Sequence, residues 1–449
     1  MMRLLSYSLL AVAYLLSAEV TSEASSSTEV CDDSPRLHIA LSGWRHLPHS
    51  YSLVCQYVLL ELIRRADRDG QTHLSFVDLP HPSDWKKVMG MFSESDLNRM
   101  SVIPPTVDDD DPPDLLVRFG YPIDISPPPS SSTKVYTLAT AEYEVKDIMK
   151  TVNSPAWSDF EDVTLLVPSN WSASLFTDIG NVPADKIAVI PHGFDERFFR
   201  PAKIKKKSIT RECLEWREQV QIPEDAFIFL HIGAGTTNKN IDMLINAFVN
   251  ITTQYPNTVL LIKTLGSLYP QGKDNVMAVI QKLMRDPERP FREDSVVWLD
   301  DSYSNSFMGE IYRCSNIYIA PYQSEGFNLP VLESIASGTP VIVPRFGPTD
   351  DFTRRTFARY VNASIINRVN SMNHTPYRRL LQVNATSLVE EMLFVLRDFD
   401  TGSSWLRSAS KKGAAFAKKY YTWKNIVDKI IMHASVYHSA LSRLVSTLD

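Results

Sequence analysis

The sequence predicts an α/β fold, on three observations. Residues 317–343 hold two short apolar runs, separated by a loop and a helical segment, which is typical of a buried strand–loop–helix–strand unit. Residues 36–65 begin in the same way, with an apolar strand, a tight loop and an amphipathic helix. A chain of 449 residues is also long enough for two or three domains that each bury a core.

Composition indicates an ordinary globular enzyme. The chain is 44% apolar and 22% charged, and its net charge of −6 argues against a nucleic-acid partner. Four cysteines, Cys31, Cys55, Cys213 and Cys314, lack the spacing of a metal site. We expect them to be buried free thiols rather than disulfides.

The N-terminus predicts entry into the secretory pathway. Arg3 precedes a mostly apolar run at 4–18, and residues 1–24 are typical of a secretory signal peptide. An uncleaved anchor is the alternative, which would associate the chain with a membrane. We expect a protein of the endoplasmic reticulum or Golgi lumen, or a secreted one. Five glycosylation sequons agree with this route without proving it: Asn170, Asn250, Asn362, Asn373 and Asn384.

A first domain is predicted over residues 36–200. Its expected strands are 36–42, 73–78, 114–119, 134–138 and 162–168, with helices at 52–65 and after 168. The acidic run Asp108–Asp111 is expected to be a solvated loop. A metal site needs carboxylates on a rigid scaffold, which this proline-flanked run does not provide.

A linker over residues 201–220 leads to a second predicted domain, 221–400, and to C-terminal helices within 401–449. The expected strands are 227–232, 258–263 and 295–299, followed by those of the 317–343 unit; the expected helices are 241–254, 307–313, 387–397, 405–419 and 423–444. The polar stretch 362–386 is expected to be a surface loop or insert. Gly233-Ala234-Gly235 lacks the third glycine of a dinucleotide fingerprint, which argues against a dehydrogenase.

The 317–343 unit also predicts a ligand. A helix beginning at Leu329 offers unpaired N–H groups that suit a phosphate. Glu325 and Glu333 flank that helix start, and carboxylates accept hydrogen bonds from vicinal hydroxyl groups. Gly326 allows close backbone approach. Phosphate donors beside paired hydroxyl acceptors suggest a sugar nucleotide.

Glu325 to Glu333 resembles the E-x7-E motif of the retaining glycosyltransferases of family 4, also called group 1 glycosyltransferases. Residues 191–201 are similar to another stretch of that family. The resemblance implies the GT-B architecture: two Rossmann-like domains face each other across a cleft, and C-terminal helices cross back to the first domain. It also implies that Glu333 binds the nucleotide ribose. Glu325 and the backbone that follows it, Gly326, Phe327, Asn328 and Leu329, would hold the donor sugar and diphosphate.

Further donor-side residues follow from the family pattern G-R-x-x-x-x-K-N/G. Gly233 and Lys239 match that pattern, whereas Ala234 stands in the usual place of the arginine. Lys263, at the end of a predicted strand, would supply part of the missing positive charge. Lys239 and Glu325 are therefore the expected catalytic residues.

Three residues are candidates for the acceptor side. His49 lies in the first loop, which would alternatively pack on Trp44. Glu142 stands where many family members carry a histidine. His192 would either face the substrate or cap a turn.

The resemblance implies transfer of a hexosyl group from a nucleotide diphosphate sugar to a glycan, lipid or small molecule. The anomeric configuration would be retained, and no metal or other cofactor would be required. Two alternatives stay open. The chain would be a catalytically inactive GT-B sugar-binding or partner subunit, which Ala234 favours, or a sugar-nucleotide epimerase, which the E-x7-E pattern disfavours.

Overall fold

The computed structural model describes residues 37–83, 85–105, 111–145, 163–202, 210–266, 268–286, 292–369 and 376–435. The predicted signal peptide, Cys31, Asn373 and three aspartates of the acidic run (108–110) lie outside these residues. Across the stretches that are described, no helix combines the length and apolarity needed to cross a membrane.

The first sheet has six parallel strands in the order β2-β1-β3-β4-β5-β6. Its strands are β1 (Leu37–Gly43), β2 (Thr72–Asp78), β3 (Leu115–Arg118), β4 (Lys134–Leu138), β5 (Val163–Val167) and β6 (Ile187–Val189). The helices described in this part are α1 (Ser50–Asp69), α2 (Glu94–Ser101) and α3 (Asn170–Asp178). Every residue of β5 is buried, as expected for a central strand of a parallel sheet.

The second sheet is also parallel, in the order β12-β11-β10-β7-β8-β9. Its strands are β7 (Phe227–Ile232), β8 (Thr258–Lys263), β9 (Val296–Leu299), β10 (Ile317–Ile319), β11 (Val341–Pro344) and β12 (Ala358–Val361). Its helices are α4 (Arg211–Gln219), α5 (Ile241–Thr252), α6 (Pro270–Met284), α7 (Asn305–Arg313), α8 (Leu329–Ala336) and α9 (Ala385–Asp400). The strand order reverses between β7 and β10, and ligands bind beside the carboxyl ends of strands at such a point.

Two further helices follow among the described residues: α10 (Trp405–Tyr420) and α11 (Trp423–Ser435). Apolar residues of α11 join the core of the first sheet, where Trp423 stacks on Tyr57 of α1 at 5.2 Å. An ion pair of 3.0 Å joins Arg65 of α1 to Asp428 of α11. The predicted return of the C-terminal helices to the first half of the chain is therefore confirmed.

The stretch 362–386, expected to be a surface loop or insert, is largely a β-hairpin, so it is an ordered two-stranded insert and not an irregular loop. Strands β13 (Ala363–Val369) and β14 (Pro376–Val383) pair antiparallel. The side chains of β13 are mostly exposed, so the strand lacks the apolar alternation that would reveal it in the sequence. The hairpin bridges the two halves of the protein: Arg378 pairs with Glu144 at 3.0 Å, and the N–H of Leu381 donates to the carbonyl of Gln323 at 2.7 Å.

Cys213 and Cys314 form a disulfide, contrary to the expectation of free thiols. The bond joins α4 to the residue that follows α7, with a Cα–Cα distance of 5.1 Å. The two cysteines are 101 residues apart, so no local sequence pattern predicts the disulfide. Cys55 is a buried free thiol, as predicted. Helix α4 also occupies most of the second half of the stretch predicted as a linker at 201–220.

Candidate active site

The loop after β10 leads into the N-terminus of α8, and Asn328 sets its conformation. Asn328 has a φ of 76°, which asparagine tolerates better than most residues. Its side-chain oxygen accepts a hydrogen bond from the N–H of Val331 at 3.4 Å and so caps the helix. Pro330 stands in the first turn, where a missing N–H breaks no helical bond. The helix therefore presents its positive end beside Leu329.

Gly326 is the point where this loop touches the first half of the chain. Its carbonyl accepts a hydrogen bond from the hydroxyl of Ser169 at 2.6 Å and a longer one from Ser172 at 3.4 Å. A Cβ atom at this position would overlap the Cγ2 methyl of Thr140. The close backbone approach expected from Gly326 is present, and a side chain here would require Thr140 or the loop to shift.

Lys239 and Glu325 form a buried ion pair, with Nζ 2.6 Å from Oε1. The side chains are only 16% and 10% exposed, and Asn328 donates a further hydrogen bond of 3.2 Å to the same oxygen. Burial opposes the ammonium charge, but Glu325 and Glu142 outweigh it and raise the pKa of Lys239. Burial also raises the pKa of Glu325, against the ammonium of Lys239. A persistent positive charge thus lies between two carboxyl groups.

Glu142 is held next to this pair by Asn238, whose side-chain amide donates to Oε2 at 2.9 Å. The carbonyl of Asn238 accepts from the N–H of Gln323 at 2.8 Å, which ties it to the loop after β10. The indole of Trp171 donates to the carbonyl of Glu142 at 2.7 Å. Groups from both halves of the protein therefore fix the position of this carboxyl group.

Glu333 lies on α8, where Oε2 accepts a hydrogen bond of 2.8 Å from the hydroxyl of Tyr312. Burial raises the pKa of Glu333 to about 7, opposed by that hydrogen bond and by Lys263. Lys263 ends β8 and is also buried. Burial lowers its pKa to about 8, opposed by Asp300 and Glu333. A carboxyl group and an amine that both titrate near neutrality thus lie in one part of the site.

Two histidines line the site from the first half of the chain. His49 caps α1, with Nδ1 accepting from the N–H of Tyr51 at 3.3 Å, and its ring stacks on Trp85 and lies edge-on to Trp44. Burial lowers the pKa of His49 to about 4. His192 packs edge-on to Phe327, and burial lowers its pKa to about 3. Both imidazoles are therefore neutral at physiological pH.

These groups border one cavity of about 310 Å³ between the two halves of the protein. Every residue predicted for the site from the sequence is among its lining residues: Glu325, Lys239, Glu333, Gly326, Phe327, Asn328, Leu329, Lys263, Gly233, His49, Glu142 and His192. The cavity therefore combines two ammonium groups, a helix N-terminus and three carboxyl groups. His49 both packs on Trp44 and lines the cavity, so its two predicted positions are compatible.

Several residues that line the cavity were not predicted from the sequence. Tyr269 follows β8, while Tyr303 and Asn305 follow β9. Asn305 donates to the hydroxyl of Tyr57 at 2.8 Å, and the ring of Tyr303 lies 5.9 Å from Nζ of Lys263. Loops after the carboxyl ends of parallel strands form the ligand site in such sheets, and that rule would have found all three.

Comparison with solved structures establishes the class of fold. A glycosyltransferase from Rickettsia africae superposes with a TM-score of 0.63 at 14% identity, over 89% of this chain and 98% of that one. Anabaena Alr3699/HepE, solved in complex with UDP and glucose, gives a TM-score of 0.59 at 12% identity, over 89% and 100% of the two chains. The fold is the GT-B fold of glycosyltransferases, as predicted.

Residues 214–364 match the family model for glycosyl transferases group 1. The lipopolysaccharide 1,2-N-acetylglucosaminetransferase of Salmonella typhimurium is 26% identical over 51% of this chain and 58% of its own length. The D-inositol 3-phosphate glycosyltransferase of Acidothermus cellulolyticus is 25% identical over 40% of this chain and 38% of its own length. The chain thus spans about half the length of the curated relatives that it matches.

Proposed function

We propose that this protein transfers a hexosyl group from a nucleotide diphosphate sugar to the hydroxyl group of an acceptor. One observation carries the proposal: Lys239, Lys263 and the N-terminus of α8 line the same cavity as Glu325 and Glu333. Cations and helix N–H groups suit a diphosphate, whereas the carboxylates suit sugar and ribose hydroxyls. The group 1 family match and a GT-B neighbour crystallised with UDP and glucose support the same chemistry.

The proposed reaction breaks the bond between the anomeric carbon and the diphosphate oxygen. Negative charge then builds on the leaving diphosphate, and fixed positive groups offset it. Lys239, Lys263, Phe327, Asn328 and Leu329 line the cavity. The two ammonium groups and the three backbone N–H groups would take that role. Glu333 would accept from the ribose hydroxyls and Glu325 from those of the transferred sugar. These groups belong to the protein itself, and we propose that the reaction requires no metal or other cofactor.

We propose that the reaction retains the anomeric configuration. The acceptor hydroxyl would attack the face that the diphosphate leaves, and its proton would pass to the departing phosphate oxygen. This step needs no protein nucleophile. Glu142, His49 and His192 would line the acceptor side, where a glycan, a lipid or a small molecule would bind. Proton NMR of the first product formed would give its anomeric configuration directly.

A second candidate function is a catalytically inactive sugar-binding or partner subunit. Ala234 favours it, because this cavity residue lacks the positive charge that group 1 enzymes usually carry at the matching position. Lys263 argues for activity, since its ammonium lines the same cavity.

A panel of nucleotide sugars separates these functions. Thermal stabilisation and slow donor hydrolysis would be measured for the wild type, for Glu333→Ala and for the control Glu390→Ala, which changes an exposed glutamate of α9. We expect one donor to stabilise and be hydrolysed by the wild type and the control, but not by Glu333→Ala. Binding without turnover would establish the inactive subunit, and no response to any donor would refute the proposed site.

We also propose that the protein works in the lumen of the secretory pathway. Residues 1–24 have the pattern of a signal peptide, and the disulfide between Cys213 and Cys314 is of the kind that persists in oxidising compartments. N-terminal sequencing of the protein from a eukaryotic host tests this: loss of the first residues supports it, while an intact cytosolic chain with reduced cysteines contradicts it.

A further inference from the structure

His38 and His73 lie side by side near the amino ends of β1 and β2. The two residues are direct partners in the parallel ladder, and their ring centres are 4.7 Å apart. Asp111 lies beside them, with Oδ2 3.7 Å from Nδ1 of His38. One nitrogen or oxygen atom from each of the three residues falls within 4.8 Å of the other two. Three metal-ligating side chains thus converge on one point.

The Nδ1 atom of His38 is buried and has no hydrogen-bond partner among the described residues. His38 is only 6% exposed, and its Nε2 lies 2.8 Å from the hydroxyl oxygen of Ser75. When Nε2 donates to Ser75, the lone pair of Nδ1 faces the carboxylate of Asp111. A cation between the two atoms, or a proton on Nδ1, relieves the repulsion between them.

The chemistry of the three groups fits zinc. Imidazole nitrogen and carboxylate oxygen bind zinc at about 2.0–2.2 Å, so neighbouring ligand atoms of a tetrahedral ion are about 3.3–3.6 Å apart. The 3.7 Å between His38 and Asp111 is already close to that separation. His73 and Asp111 are exposed and can close the remaining distance by side-chain rotation. A ligating histidine also usually donates its other N–H to an oxygen, as His38 would to Ser75.

We propose that His38, His73 and Asp111 bind a divalent transition-metal ion, zinc in the first instance, with water in the remaining position. The site lies near the amino ends of β1 and β2, whereas the proposed active site lies beyond the carboxyl ends of the strands. The ion would tie β1 and β2 to the segment before β3, so its role is structural. The run Asp108–Asp111 was expected to be a solvated loop without the rigid scaffold of a metal site. Asp111 instead lies beside His38 of β1, which pairs with His73 of β2.

Metal titration of the untagged full chain tests this site independently of any glycosyl transfer. Chelator-treated protein would be titrated with zinc in a calorimeter and with cobalt in a spectrophotometer, because tetrahedral cobalt has visible absorption bands. We expect one equivalent to bind and to raise the Tm. His73→Ala and Asp111→Asn should each weaken binding by about tenfold or more. His81→Ala, which changes a histidine outside the cluster, beyond the carboxyl end of β2, should leave binding unchanged.

The two test variants change exposed side chains, and circular dichroism would confirm that they fold. Unchanged zinc affinity in both of them would overturn the proposal, as would the absence of any zinc binding to the wild type. Equal weakening in His81→Ala would show non-specific binding and would overturn it as well.

Discussion

The ammonium of Lys239 lies 2.6 Å from a carboxylate oxygen of Glu325, although 86 residues separate the two along the chain. Lys239 ends a short turn after β7, and Glu325 lies in the loop after β10. These two strands are the neighbours between which the order of the second sheet reverses. The ion pair therefore stands at the position where sheets of this type bind their ligands.

Removing the cation of this pair should reduce stability as well as activity. Lys239→Met leaves a buried carboxyl group without its partner, and we expect a loss of about 3 kcal/mol in the free energy of unfolding. The double variant Lys239→Met/Glu325→Gln should recover most of that loss and still be inactive. Urea unfolding of the wild type and the variants measures the effect. A double variant no more stable than Lys239→Met would show that the two groups are not energetically coupled.

Affinity for a nucleoside diphosphate should pass through a maximum between pH 7 and 8. Glu333 has a pKa of about 7, so it loses its charge and an acceptor site below that pH. Lys263 has a pKa of about 8, so it loses the charge that attracts phosphate above that pH. Calorimetric Kd values measured across this pH range would define the acidic and the alkaline limb of the affinity profile. Glu333→Gln should flatten the acidic limb and Lys263→Arg the alkaline one; unchanged profiles in both would contradict these roles.

Lys263 should offset the absence of an arginine at position 234. Lys263→Ala should weaken nucleoside diphosphate binding by about 1.5–3 kcal/mol, a factor of roughly 10 to 150 in Kd. Ala234→Arg introduced into that variant should restore part of the affinity, because it returns a cation to the cavity wall. Lys273→Ala, at an exposed lysine of α6, serves as the control. No recovery in the double variant would place the phosphates away from residue 234.

Gly326 should tolerate a side chain only if the opposing residue is trimmed. Gly326→Ala brings a methyl group against Cγ2 of Thr140, and such overpacking costs about 1–3 kcal/mol. Thr140→Ser removes that Cγ2 methyl, so the double variant should regain both stability and donor turnover. Comparing the Tm and turnover of the two single variants and the double variant measures the coupling. If Gly326→Ala lowers the Tm and the turnover equally with and without Thr140→Ser, this contact is not the cause of the loss.

The disulfide should contribute to stability. Cys213→Ser/Cys314→Ser opens a loop of 101 residues, and loss of such a bond costs about 2–5 kcal/mol. Reduction of the wild type should produce a similar loss, because it breaks the same bond. Alkylation under denaturing conditions, followed by mass spectrometry, would show whether the pair is oxidised. Two alkylated thiols at these positions in non-reduced protein would contradict the bond.

Most strands could be predicted from the sequence, because a parallel sheet buries continuous apolar runs. Lys134–Leu138 and Thr258–Lys263 match the predicted strands at both ends. Helix α6 was missed although its buried residues Val276, Ile280 and Leu283 follow helical spacing. The hairpin of β13 and β14 was missed because its exposed residues carry no such pattern.

Residues of the candidate site could be predicted where they belong to a short sequence motif. Contacts between residues that are distant in the sequence could not be predicted. The loop and helix from Glu325 to Glu333 could be predicted to line the cavity, since the spacing of two carboxylates is local. The hydrogen bond from Tyr312 to Glu333 and the contact of Gly326 with Thr140 depend on tertiary packing. The same holds for the disulfide, whose partners are brought together only by the fold.

The most direct test of the proposed function is the release of nucleoside diphosphate from a nucleotide sugar, followed by phosphorus NMR. The wild type should release diphosphate slowly in water and faster once a suitable acceptor is present. The folded double variant Lys239→Met/Glu325→Gln should release none above background. Release that is equally fast in both proteins would contradict the assignment of this cavity as the active site. Binding of the nucleotide sugar without release of diphosphate by the wild type would contradict the proposal that the protein is an enzyme.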